Sequence, residues 1–133
     1  MEKVKARNKK HLIKLIETEI QKHGNNCDLN HIDTSFIVDM SQLFELSHFN
    51  GDISKWNTSN VVDMSCMFAS SQFNGDISQW DTSNLEYMQG MFYGSQFNGD
   101  ISSWDVSNVK DMHRMFAESQ FSGDVSTWNV SNV

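Results

Sequence analysis

Five histidines, two cysteines and recurrent columns of serine and aspartate are the residues of this chain best equipped for chemistry. His11, His23, His31, His48 and His113 include no pair, with each other or with a cysteine, at the short spacings that hold zinc. Cys27 and Cys66 show no metal or redox spacing either, and read as free thiols in a reducing compartment. Ser35, Ser59, Ser83, Ser107 and Ser131 recur every 24 residues. A nucleophile needs one special environment, whereas a serine repeated beside every turn reads as a cap or backbone hydrogen-bonder. No Gly-rich phosphate loop or nucleophile elbow occurs. The sequence therefore predicts no catalytic residue, no metal site and no cofactor.

The aspartate column, Asp28, Asp52, Asp76, Asp100 and Asp124, keeps the same 24-residue spacing. Stacked copies would bring these carboxylates within about 5 Å of one another, the distance between neighbouring strands. Like charges so close need an offset. Turn N–H groups donating to each Asp supply it most simply. Calcium between copies is the sharper reading, but one carboxylate per copy falls short of the roughly 6–8 oxygens that calcium prefers.

Both columns belong to one repeat. Phe49, Phe73, Phe97 and Phe121 each open a copy of F-[NS]-G-D-[IV]-S-x-W, and Met40, Met64, Met88 and Met112 with Phe44, Phe68, Phe92 and Phe116 complete the pattern without a gap. The units run 25–48 (degenerate), 49–72, 73–96 and 97–120, with a partial unit at 121–133. A fixed period of this length marks a solenoid, whose lone unit buries too little to offset the ordering of its backbone. Trp56 and Thr58, two apart, predict a short strand over 53–61 with both side chains inward. Val61, Met64, Met67 and Phe68 have helical spacing, with Asn60 and Asp63 in a capping-box-like start. The expected fold is an α/β, leucine-rich-repeat-like solenoid of strand-plus-short-helix coils.

Residues 1–24 do not repeat. Leu12, Ile13, Leu15, Ile16 and Ile20 give an amphipathic helix from about Lys5 to Lys22, ending near Gly24, that would cap the first coil. A membrane-surface or nucleic-acid-binding helix is the weaker reading of the same residues.

The motifs F-N-G-D-I-S-x-W-[DN]-[VT]-S-N-V and D-M-x-x-M-F, over residues 25–133, resemble the BspA-like leucine-rich-repeat family, whose repeats include those first catalogued in mycoplasmas. The resemblance implies a bacterial origin and a leucine-rich-repeat-like solenoid. It also implies a surface or adhesion role, and it supplies no catalytic residues.

The chain has 133 residues, 38% hydrophobic and 20% charged, which suits one globular domain. No apolar run approaches a membrane span, and the Lys-rich start lacks the apolar stretch of an export signal, so a cytoplasmic location is expected. Charge is segregated. Residues 1–23 hold seven Lys and Arg against three acids, a net of +4; residues 24–133 hold three against fourteen, a net of −11. Such a surface repels nucleic acid and attracts basic proteins. With Trp56 and Thr58 inward, the residue between them faces out. Its column is Asp33, Asn57, Asp81, Asp105 and Asn129, flanked by Lys55 and Gln79 among others. These seven are the expected partner-binding residues, and Tyr87, Tyr93, His113 and Arg114 mark the alternative face. The expected function is a non-enzymatic protein-binding module, an acidic cytoplasmic inhibitor or immunity-type protein covering a basic partner such as a toxin. The alternatives are a bacterial surface or adhesion repeat, and a structural module forming a homodimer through its uncapped C-terminal end.

Overall fold

In the computed structural model, which describes residues 3–133, three regular elements occur: β1 (Val4–Lys5), α1 (Lys9–His23) and β2 (Ile32–Asp33). β1 pairs in parallel with β2, Val4 opposite Ile32 and Lys5 opposite Asp33. α1 starts where Asn8 accepts the His11 N–H, and ends where Gly24, at φ 86°, donates its N–H to the Ile20 carbonyl. The helix is shorter than its apolar spacing predicts, because residues 4–5 extend to join β2. Leu12 and Ile16 are buried in one core with Leu29, Ile37 and Met40 of the first coil. Lys9 Nζ reaches Ser41 Oγ at 2.8 Å, and Glu19 meets His31 Nε2 at 2.6 Å, so polar ties hold both ends of α1 to that coil.

From residue 25 onward the chain forms coils stacked at the repeat interval. Parallel bridges join Asp28 to Asp52, and run from Asp39 through Asp63 and Tyr87 to Asp111. The N–H groups of Met40, Gln42, Phe44 and Leu46 donate to the carbonyls of Asp63, Ser65, Met67 and Ala69 in the next coil. Met64, Cys66, Phe68 and Ser70 do the same to the third coil, and Met88, Gly90, Phe92 and Gly94 to the fourth.

That bonding displaces the helix expected over 61–68. The segment is a run of tight turns, with the N–H groups of Met67, Ala69 and Ser71 bonded three residues back. Cys66 and Ser70 take left-handed φ values of 54° and 53°, and the equivalent pairs Gln42 and Leu46, Gly90 and Gly94, and Arg114 and Glu118 do likewise. A helix would turn every N–H back on its own coil. Here every second one points to the neighbour, and only Gly90 and Gly94 enter that conformation without steric cost. The strand expected over 53–61 is likewise two turns, closed by Trp56 N–H on Ile53 and Val61 N–H on Thr58.

Side chains complete the stack in ladders. Each indole N–H donates one coil back: Trp56 to Leu29, Trp80 to Ile53, Trp104 to Ile77 and Trp128 to Ile101. Thr34, Thr58 and Thr82 donate forward to the carbonyls of Asn57, Asp81 and Asp105. Phe44, Phe68, Phe92 and Phe116 stack at 5.7–5.9 Å between ring centroids, beside a second stack of Phe49, Phe73, Phe97 and Phe121. Asn60, Asn84, Asn108 and Asn132 donate to the carbonyl of the serine one coil earlier, so the predicted helix caps are ladder rungs.

Gly51 shows how close the coils lie. A Cβ there would fall 1.8 Å from the Cys27 carbonyl oxygen. Gly51→Ala is expected to cost about 1–3 kcal/mol through backbone displacement. The same change at Gly99, whose nearest obstacle is the Phe97 ring at 2.8 Å, should cost less. Urea midpoints compare the two; equal midpoints would contradict the close approach of coils one and two.

Candidate interaction surface

The column between the buried Trp and Thr columns forms one outward row. Asn57, Asp81, Asp105 and Asn129 are exposed, and Asp33, in β2, is half-buried beside Lys5 Nζ at 3.9 Å. Position follows from the anchors on either side: Trp56 and Thr58, Trp80 and Thr82 are all buried. Each residue of the row accepts the N–H of the serine two residues on, at 2.9 Å for Asp33, 3.0 Å for Asn57, Asp81 and Asp105, and 3.1 Å for Asn129. Ser59, Ser83 and Ser107 add their hydroxyls at 2.6 Å. Lys55 and Gln79 are exposed beside this row; the Lys55 N–H donates to Asn30 Oδ1, and Gln79 Nε2 lies 3.5 Å from Ser78 Oγ.

These turns account for the electrostatics. The Ser83 and Ser107 hydroxyls, with their backbone N–H groups, hold Asp81 and Asp105 below the ordinary carboxylate range. The Ser35 N–H does the same for Asp33. The parallel column at Asp52, Asp76, Asp100 and Asp124 uses the same device, with Ser54, Ser78, Ser102 and Ser126 as donors. Its carboxyls are also lowered. Each carboxylate is thus offset by its own turn. Among the described residues, no cluster of three or more His, Cys, Asp or Glu is arranged to hold a metal ion.

The opposite face, made by the tight turns, carries a groove of about 460 Å3. It runs from Glu45 and Leu46 past Cys66, Ala69 and Tyr93 to His113 and Arg114. Leu46 is 73% exposed. The Tyr93 hydroxyl donates to Glu118 at 2.9 Å, which pushes its own pKa up. Burial pushes the Cys66 thiol up as well. Gln89 Oε1 is buried in this lining without a hydrogen-bond partner among the described residues. Of the alternative face read from the sequence, Tyr93, His113 and Arg114 line the groove and Tyr87 does not; the groove itself was not legible. The signal that marks it is variation: Gln42, Cys66, Gly90 and Arg114 share one column, whereas the outward row itself holds only Asp and Asn.

A family model described as "Mycoplasma protein of unknown function, DUF285" matches residues 16–118 and again 88–133. The chain belongs to this family. The two matches to DUF285 overlap over residues 88–118, within the repeats. No curated protein and no solved structure matches the chain. DUF285 itself carries no assigned activity. Among the described residues no helix is long and apolar enough to cross a membrane.

Proposed function

We propose that this DUF285 chain is a BspA-like, leucine-rich-repeat-like solenoid that binds another protein and catalyses nothing. Its role is that of an acidic cytoplasmic inhibitor or immunity-type protein, and its partner is a basic protein such as a toxin. The observation that carries this reading is the outward row of Asp33, Asn57, Asp81, Asp105 and Asn129, with its acids held ionised by the serines beside them. The row stands on coils with a net charge of −11. Fields of this kind steer oppositely charged partners and exclude like-charged ones.

Replacing Asp81 and Asp105 together by Lys removes the acceptor of two serine turns and should lower the melting temperature, so capture is compared at a temperature where melts show both proteins folded. It should weaken capture of a basic protein from the native bacterium by about tenfold or more. Undiminished capture would remove this row from the interface.

A second reading, end-to-end assembly, is favoured by the last full coil. The N–H groups of Met112, Arg114, Phe116 and Glu118 have no hydrogen-bond partner among the described residues, although the equivalent groups of the three preceding coils all bond onward. Phe116, Phe121 and Trp128 are only partly buried. A further coil, supplied by a second copy in this reading and equally well by following chain, would meet both needs. Light scattering over a concentration series tests this; a constant monomer mass would remove it.

A further inference from the structure

Concavity, charge and coil-to-coil variation coincide at one place, the turn-face groove. The outward row presents only Asp or Asn, whose side-chain oxygens close turns, although its flanking column, Lys55, Gln79, Ser103 and Thr127, does vary. A row so uniform attracts by charge but distinguishes little. The groove differs in every coil: Glu45 and Leu46, then Cys66 and Ala69, then Gly90 and Tyr93, then His113 and Arg114. Side chains that vary on a fixed ladder are the ones able to specify a partner.

The groove also has polarity. Glu45 is the acid of its lining and stands at the first-coil end; Arg114, with His113, stands at the fourth-coil end, where Glu118 is taken up by the Tyr93 hydroxyl at 2.9 Å. Between them the wall is apolar or small, formed by Leu46, Cys66 and Ala69 with the face of Tyr93. Gly90 keeps the middle open: a Cβ there would come 3.0 Å from Cys66 Sγ. Three coil spacings of roughly 4.8 Å give about 14 Å, the reach of four or five extended residues.

We propose that this groove docks an extended peptide segment of the partner, with an apolar centre, an acidic residue at the Arg114 end and a basic residue at the Glu45 end. The inference rests on the protein-binding reading and adds the element that reads the partner. The acidic coils attract a basic protein, and the groove selects one segment of it.

A random-peptide library selected against the immobilised full chain tests this, with three variants in parallel: Arg114→Glu, Leu46→Asn and Asp81→Lys/Asp105→Lys. All four positions are exposed, and Asn suits the left-handed backbone of Leu46. Thermal melts confirm that each variant folds. The chain should enrich acid–apolar–base peptides, with binding reduced about tenfold by Arg114→Glu or Leu46→Asn and by clearly less in the Asp81/Asp105 variant. Selection against Arg114→Glu should replace the acidic end by a basic one. Peptides lost with Asp81/Asp105 but kept with Arg114→Glu would overturn the groove while supporting the binding function. Failure to enrich any peptide would also overturn the groove. The broader reading would then fail only if the full chain also captured no basic protein.

Discussion

Trp80→Ala is expected to destabilise the chain by about 3–5 kcal/mol, the largest effect of any single substitution considered for the coils. Trp80 is 4% exposed, stacks on Trp104 at 6.4 Å and on Phe68 at 6.2 Å, and donates its indole N–H to the Ile53 carbonyl at 3.1 Å. Truncation therefore opens a cavity between three coils and leaves the Ile53 carbonyl with the Trp56 N–H as its remaining donor. Trp80→Phe separates the two effects. It keeps most of the ring and loses the donor, and should cost about 1–3 kcal/mol. Trp128 occupies the same column but is only partly buried, so Trp128→Ala should cost clearly less than Trp80→Ala. Urea midpoints give all three values. Equal losses at Trp80 and Trp128 would contradict a core that thins toward the last coil.

Acid should unfold the stack through its turns. Asp33, Asp52, Asp76, Asp81, Asp100, Asp105 and Asp124 all lie below the ordinary Asp value of 3.8 in the folded chain. Hydrogen bonds from the hydroxyl or N–H of the serine two residues on lead the causes in every case. Folding thus favours the ionised form. The stabilisation is fully present above the unfolded-state value and is lost as pH falls through the depressed values, so the urea midpoint should decline from about pH 5 downward. Repulsion of Asp76 by Asp52 and Asp100, and of Asp81 by Asp105, works against the lowering. Asn57 provides the control within the chain, accepting the Ser59 N–H and hydroxyl at 3.0 and 2.6 Å, as Asp81 does from Ser83. Asp76→Asn/Asp81→Asn/Asp105→Asn should preserve these turns and flatten the acid limb. An unchanged acid limb would show that these carboxylates do not link folding to pH.

The columns of the repeat could be read directly from residue types, because a side chain that stacks on its own kind must recur at the coil length. Phe68, Trp80 and Thr82 announce their burial in this way. The backbone between them could not be read so easily. Val61, Met64, Met67 and Phe68 fit a helix, yet tight turns place the same residues inward. Inter-coil hydrogen bonds decide between the two, and they join residues 23 apart, such as Met64 and Tyr87. Only Gly90 and Gly94 hint at the left-handed positions; Cys66 and Ser70 adopt them without a sequence signal. The groove depends on those positions, so it was illegible for the same reason. The outward row needed only the alternation of Trp56, Asn57 and Thr58.

Every surface assignment depends on the one-coil register of these backbone bonds, and residue-resolved amide exchange on the 133-residue chain measures it. Met88, Gly90, Phe92 and Gly94, bonded to the next coil, should exchange slowly. Met112, Arg114, Phe116 and Glu118, their counterparts one coil later, should exchange fast. Equal protection of the two sets in a sample dilute enough to be monomeric, or continuous helix-like protection through 61–68, would contradict the stacked-turn architecture and both faces built on it.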